Sequence, residues 1–148
     1  MEADLTSPPE NPICLDTTAR AVKQALDSAG ITVADLGTIE CHDCFTISAI
    51  LSLEASGICK PGEGADFVLA GKTARDGEIP TNTSGGLIGW GHPTGATGVR
   101  QAVTIWEQLT GKAGDYQIKL SPNRPYALSI NMGGNDKTLV SIVYRRGS

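Results

Sequence analysis

Two imidazoles are all the chain has, His42 in Cys41-His42-Asp43-Cys44-Phe45 and His92 in Gly91-His92-Pro93-Thr94-Gly95-Ala96-Thr97-Gly98. Proline after His92 presets the backbone for the first turn of a helix, where its missing N–H costs nothing. A helix-periodic run of Val99, Val103, Trp106 and Leu109, with Ala102 beside them, follows directly. The pattern predicts a helix opening straight after Pro93, with His92 at its mouth, where anionic groups are stabilised. An imidazole there suits a general base or a donor to a developing oxyanion, or it merely caps the helix.

The Cys41-His42-Asp43-Cys44 segment invites a zinc or dithiol reading. A structural zinc wants four ligands, and no second C-x-x-C or histidine pair completes the set. A redox C-x-x-C opens a helix after a strand, and here only Cys44 would do so. Strand pleating separates the two thiols, with Cys41 closing the strand and Cys44 past the turn. No metal is expected.

These residues need elements to hold them. Asp16 and Thr17 are candidate N-caps of a helix carrying Ala19, Val22, Leu26 and Ala29 and closed by Gly30. A short strand is expected over residues 38–41. A helix over residues 44–56 carries Phe45, Ile47, Ala49, Ile50, Leu51 and Leu53, apolar on most of its circumference, which predicts burial. Residues 58–91 read as a long loop with a short strand at 67–70, and a loop of that length in a compact domain is usually functional. Strands follow at 126–130 and 138–144, with Asn131-Met132-Gly133-Gly134-Asn135-Asp136 as a hairpin turn. The order is α-β-α-loop-α-β-β, an α/β fold read as a single domain over residues 1–148.

Bulk properties narrow the function. The chain has 148 residues, 40% hydrophobic and 19% charged, with a formal net charge of −4. Its only basic doublet is Arg145-Arg146, so a nucleic-acid footprint, which needs clustered positive charge, is not expected. No apolar run approaches the roughly 20 residues that span a bilayer. Met1-Glu2-Ala3-Asp4 lacks the basic start of a secretory signal, so a cytoplasmic location is expected. Cys14, Cys41, Cys44 and Cys59 are accordingly expected as free thiols.

The loops after the first strand, before the His92 helix and after the 126–130 strand fall where strands end and helices begin, which is where α/β sheets build sites. Two imidazoles, a thiol and glycine N–H groups suit acyl transfer or carbanion chemistry on a thioester.

Over residues 17–144 the sequence resembles the C-terminal domain of the thiolases, most nearly the sterol-carrier-protein-2 type. The resemblance is carried by Asp27-Ser28-Ala29-Gly30-Ile31, Glu40-Cys41-His42-Asp43-Cys44-Phe45, Asn82-Thr83-Ser84-Gly85-Gly86-Leu87-Ile88, the Gly91–Gly98 block and Asn131-Met132-Gly133-Gly134, in that order and spacing. It implies the C-terminal half of the thiolase fold, a layered mixed sheet with a buried helix. It implies a coenzyme A thioester as substrate, with no further cofactor. The nucleophilic cysteine would come from an N-terminal half, and the partners implied are such a half or further copies of the chain in a homo-oligomer. His92 matches the histidine that activates that cysteine and holds the thioester oxygen. His42 stands where most thiolases have the asparagine of an Asn-Glu-Ala-Phe block, Cys44 matches the acid/base cysteine of the sterol-carrier type, and Gly133 matches a glycine whose N–H belongs to the second oxyanion hole. Many thiolases place an acid/base cysteine where Asn131 stands, a position that could otherwise only tie down the hairpin. If an N-terminal half must join, the 44–56 helix is expected to show an uncovered apolar surface. The alternative function is a non-catalytic module binding acyl-CoA or a protein on the same scaffold.

Overall fold

The computed structural model describes residues 6–7 and 11–147. The stretch judged for a secretory signal, residues 1–4, lies outside them. Helix α1 (Asp16–Ala29) buries Ala21, Val22 and Leu26 and stops at Gly30, whose left-handed φ of 67° needs no Cβ. The Ile31 N–H closes the end on the Leu26 carbonyl at 3.1 Å, a Schellman arrangement. The start departs from expectation. Neither Asp16 nor Thr17 caps α1; the Asp136 carboxylate, from the far end of the chain, accepts the Thr17 and Thr18 N–H groups at 2.8 and 2.9 Å.

Among the described residues three strands form one sheet in the order β1 (Leu36–Glu40), β2 (Tyr126–Gly133), β3 (Thr138–Arg145), with β1 parallel to β2 and β2 antiparallel to β3. Because side chains alternate across a strand, β2 sends Leu128 and Ile130 to one face and Ala127 to the other. The first face packs against Val22 and Leu26 of α1, Leu53 of α2 (Thr46–Ala55) and Phe67 of α3 (Gly64–Leu69). The second packs against Ile105 and Leu109 of α5 (Thr97–Thr110). Short α4 (Gly86–Trp90) leads towards α5, and the fold is a layered mixed α/β sheet, as expected.

Four local expectations are corrected. Residues 67–70 are not a strand: they lie in and just after α3, where Phe67 alone is anchored in the core. A short apolar run does not distinguish the two states. The helix after His92 opens at Thr97, because Pro93 to Ala96 make a turn, Ala96 N–H to Pro93 carbonyl at 3.0 Å, with Gly95 at φ 86°. Strand β2 runs on through Asn131, Met132 and Gly133, so the reversal sits at residues 134–137, where Asn135 and Asp136 take φ of 53° and 65°. Helix α2 starts at Thr46, not at 44, and is not buried: only Ser52 and Leu53 are, while Phe45 and Ile47 are 70% and 54% exposed. One face of α2 has neighbours in α1 and α3, while Phe45 and Ile47 at its amino-terminal end stay exposed. The uncovered apolar surface expected of this helix is therefore present.

Candidate active site

At the carboxyl end of β1 the chain passes Cys41 into His42. Asn82 grips this point from the side: its Oδ1 accepts the Cys41 N–H at 2.8 Å and its Nδ2 donates to the Cys41 carbonyl at 3.1 Å. From α5, the buried Gln101 Nε2 donates to the Ile130 carbonyl at 3.0 Å and to the Glu40 carbonyl at 3.4 Å. One amide thus seats α5 over the end of β1 and the neighbouring stretch of β2. Glu40 itself is buried with neither carboxylate oxygen hydrogen-bonded, and burial, then Asp43, push its pKa up to about 8 against the pull of Arg100.

His42 is buried and its Nδ1 meets Asn131 Oδ1 at 2.9 Å. Burial lowers its pKa, and His92 lowers it further, against the Asn131 contact and Asp43. His92, exposed in its loop, meets Thr97 Oγ1 through Nδ1 at 2.6 Å. The two rings stand edge to face, 4.8 Å between centroids and 88° apart. Asp43 joins their loops, its carboxylate accepting the Leu87 N–H at 2.7 Å at the start of α4. A Cβ on Gly86 would run into that carboxylate, so only glycine fits.

His42, Cys44, His92 and Gly133 all line one cleft of about 560 Å³, with Asn131 and Ser48. Cys44 is partly buried, its sulfur 4.0 Å from Ser48 Oγ one turn into α2. Cys41 is not in the cleft: it is packed in the core, and burial drives its thiol pKa far up. The C-x-x-C segment therefore sends its two sulfurs to different environments. Cys14 and Cys59 lie outside the cleft. Among the described residues no group of three His, Cys, Asp or Glu side chains is placed to hold a metal, and no helix is long and apolar enough to cross a membrane.

The motif reading missed Thr97, Asn82 and the Asp43–Leu87 link. It left Asn131 between two roles, and its partner is His42, 89 positions away in sequence. Gly98 leaves room for the same side chain, because a Cβ there would come within 2.6 Å of Asn131 Nδ2.

Comparison with known proteins then places the chain. Residues 5–146 match the family described as thiolase C-terminal domain-like. Acetyl-CoA acetyltransferase of Methanothermobacter thermautotrophicus is 39% identical over 132 residues, which is 89% of this chain and 34% of that protein. Sterol carrier protein 2 of Homo sapiens is 38% identical over 89% of this chain and 23% of its own length. The benzoylsuccinyl-CoA thiolase subunit BbsB of Thauera aromatica is 33% identical over 72% of this chain and 28% of its own. Among solved structures, a chain of the Ltp2-ChsH2(DUF35) aldolase superposes with a TM-score of 0.70 at 22% identity, over 87% of this chain and 31% of that one, which shows the shared fold. The chain thus spans about a quarter to a third of the length of the curated relatives named here. With the family match running nearly end to end, the chain belongs to the thiolase C-terminal domain-like family.

Proposed function

We propose that the chain is the catalytic C-terminal part of a thiolase-like acyltransferase that cleaves 3-ketoacyl-CoA by thiolysis or forms it by Claisen condensation, with the attacking cysteine supplied by an N-terminal half. The observation that carries this reading is the meeting of His42 and Cys44, His92, and Gly133 in one cleft, from three separate stretches of sequence. In the cleavage direction, His92 takes the proton of the cysteine thiol supplied by the N-terminal half, and that thiolate attacks the keto carbonyl. The new sulfur–carbon bond leaves a tetrahedral oxyanion, which the His92 imidazolium holds, with His42 orienting a water beside it. Collapse breaks the carbon–carbon bond, and the electron pair passes to the departing acetyl-CoA enolate. Cys44 protonates its carbon while the Gly133 N–H, where β2 runs out, holds its oxygen. The thiol of free coenzyme A then gives its proton to Cys44 and takes the acyl group, and the departing cysteine thiolate recovers its proton from His92.

The partner half is supported by a second feature. On α5, Val99, Val103 and Trp106 follow at helical spacing on the face turned away from the sheet, 66%, 40% and 51% exposed. They leave an apolar surface on α5, as Phe45 and Ile47 leave one at the start of α2, of the kind that receives another protein surface. The same reading expects a cytoplasmic protein acting on CoA thioesters.

Thiolysis of acetoacetyl-CoA, followed as loss of absorbance with free coenzyme A present, tests it. The expectation is no turnover by the chain alone, and turnover once an N-terminal thiolase half is supplied, lost again in His92→Ala. Turnover by the chain alone that disappears in Cys44→Ala would make Cys44 the nucleophile and overturn the assignment. Tight acyl-CoA binding with no turnover in either arrangement would favour a binding module.

A further inference from the structure

Acyl transfer by two imidazoles needs a defined ring nitrogen to be free, and which one is free depends on the partner of the other. His92 Nδ1 lies 2.6 Å from Thr97 Oγ1, and that oxygen lies 3.3 Å from the Pro93 carbonyl. A carbonyl only accepts, so the single hydroxyl proton of Thr97 must point at Pro93 for that contact to be a hydrogen bond. The hydroxyl then offers His92 only its lone pairs, and Nδ1 has to carry the ring proton. The opposite arrangement satisfies one contact instead of two. Thr97 is held in place for this: it is 2% exposed and is the first residue of α5, so its rotation is limited by the helix it opens.

His42 repeats the pattern with a different partner. Its Nδ1 faces the carbonyl oxygen of the Asn131 amide at 2.9 Å, while the amide nitrogen lies against Gly98, where a Cβ would come within 2.6 Å. Asn131 is wedged between a ring and a helix backbone and offers His42 an acceptor only. The ring proton again belongs on Nδ1.

We infer that Thr97 and Asn131 are positioning residues that fix the ring protons of His92 and His42 on Nδ1, leaving both Nε2 lone pairs for the cleft. For His92 this is the form able to take a thiol proton. For His42 it is a form that accepts a hydrogen bond, from a water or from the imidazolium of His92, and does not itself donate while neutral. With ring centroids 4.8 Å apart, the pair then holds one added proton between them in preference to two. The inference rests on the acyl-transfer reading for what the free nitrogens do, but its test needs no turnover.

Histidine-selective ¹⁵N NMR on the whole chain, above the pH at which both rings are neutral, reads the tautomers from the shifts of Nδ1 and Nε2. Both rings are expected as Nδ1–H in the unmodified protein. Thr97→Val removes the acceptor with little change of shape, and is expected to turn His92 to mostly Nε2–H, the form free imidazole side chains favour, leaving His42 unchanged. Thr97→Ser restores the original pattern, and Asn131→Ala shifts His42 alone. Nε2–H signatures in the unmodified protein overturn the inference whether or not any variant folds, and so does a Thr97→Val spectrum identical to the parent. Failure of thiolysis with correct tautomers would instead count against the acyl-transfer reading alone.

Discussion

The Asp43 carboxylate accepts the Leu87 N–H at 2.7 Å, and this one bond ties the loop that carries His42 to the helix that delivers His92. The two imidazoles come from segments about fifty positions apart in sequence, and neither segment is a regular strand or helix where the ring is attached. Their edge-to-face contact depends on the tie between their supports.

Gly86→Ala is therefore expected to damage the site more than the core. The added methyl meets the Asp43 carboxylate and forces a left-handed residue, φ 59°, to carry a Cβ. A loss of about 1–3 kcal/mol in stability is expected from strain of this kind. Urea unfolding gives that number, and loss of the His42–His92 contact in NMR gives the local effect. A Gly86→Ala protein with unchanged stability and ring contact would contradict the role given to Asp43.

The buried carboxyl of Glu40 sets a pH dependence whose sign is fixed. Its folded pKa of about 8 lies above the ordinary carboxylate value of 4.5, so the folded chain holds a proton that the unfolded chain releases. Its contribution is fully present below pH 4.5 and is lost as pH rises towards about 8. Glu40→Gln keeps the shape without the charge and should be more stable than the parent at pH 9, by on the order of 4 kcal/mol. Thermal melts of both proteins across that range decide it; parallel curves would mean Glu40 does not titrate this way.

His42 acts at the opposite end. Burial lowers its folded pKa below the ordinary 6.5, so the unfolded chain takes up the proton first. Its stabilising contribution is complete above pH 6.5 and declines as pH falls towards the depressed folded value. His42→Gln should flatten the acid limb of a stability profile measured between pH 7 and about pH 5, the range in which an ordinary histidine titrates. An acid limb as steep as the parent's would assign it to other groups.

The exposed face of α5 has a direct test. Trp106→Ser and Val103→Ser remove apolar side chains that stand 51% and 40% exposed, so the chain alone should keep its melting temperature within a few degrees. Binding of a hydrophobic dye should fall, and so should any rescue of thiolysis by an N-terminal half. A large loss of stability would mean the face is packed within this chain.

What the sequence showed of this arrangement, and what it hid, follows from range. The strand and helix that flank His42 were legible from the pattern of apolar residues, as was the hairpin partner of β2. The opening of α5 was not, because Pro93 fits a first helical turn equally well and nothing local announces that Gly95 takes a positive φ of 86° and delays the helix to Thr97. Phe67 and its neighbours are too few for periodicity to distinguish helix from strand. All four residues chosen for the site line one cleft, yet the contacts that orient them were invisible. Asn131 reaches His42 across the sheet, and Asn82 reaches back 41 positions to the Cys41 backbone. Such contacts exist only once the strands have paired.

Asp136 carries a consequence for how the chain is made. The acceptor for the first N–H groups of α1 lies 118 positions downstream of Thr18 and is presented by a turn that forms only when β2 and β3 have met. During synthesis α1 emerges well before that hairpin, and its start stays without this acceptor until the hairpin has left the ribosome. The reversal between β2 and β3 is thus the step that locks α1. Replacing Asp136 by alanine should slow the end of folding as well as lower stability, by about 1–2 kcal/mol on the scale of a lost helix cap.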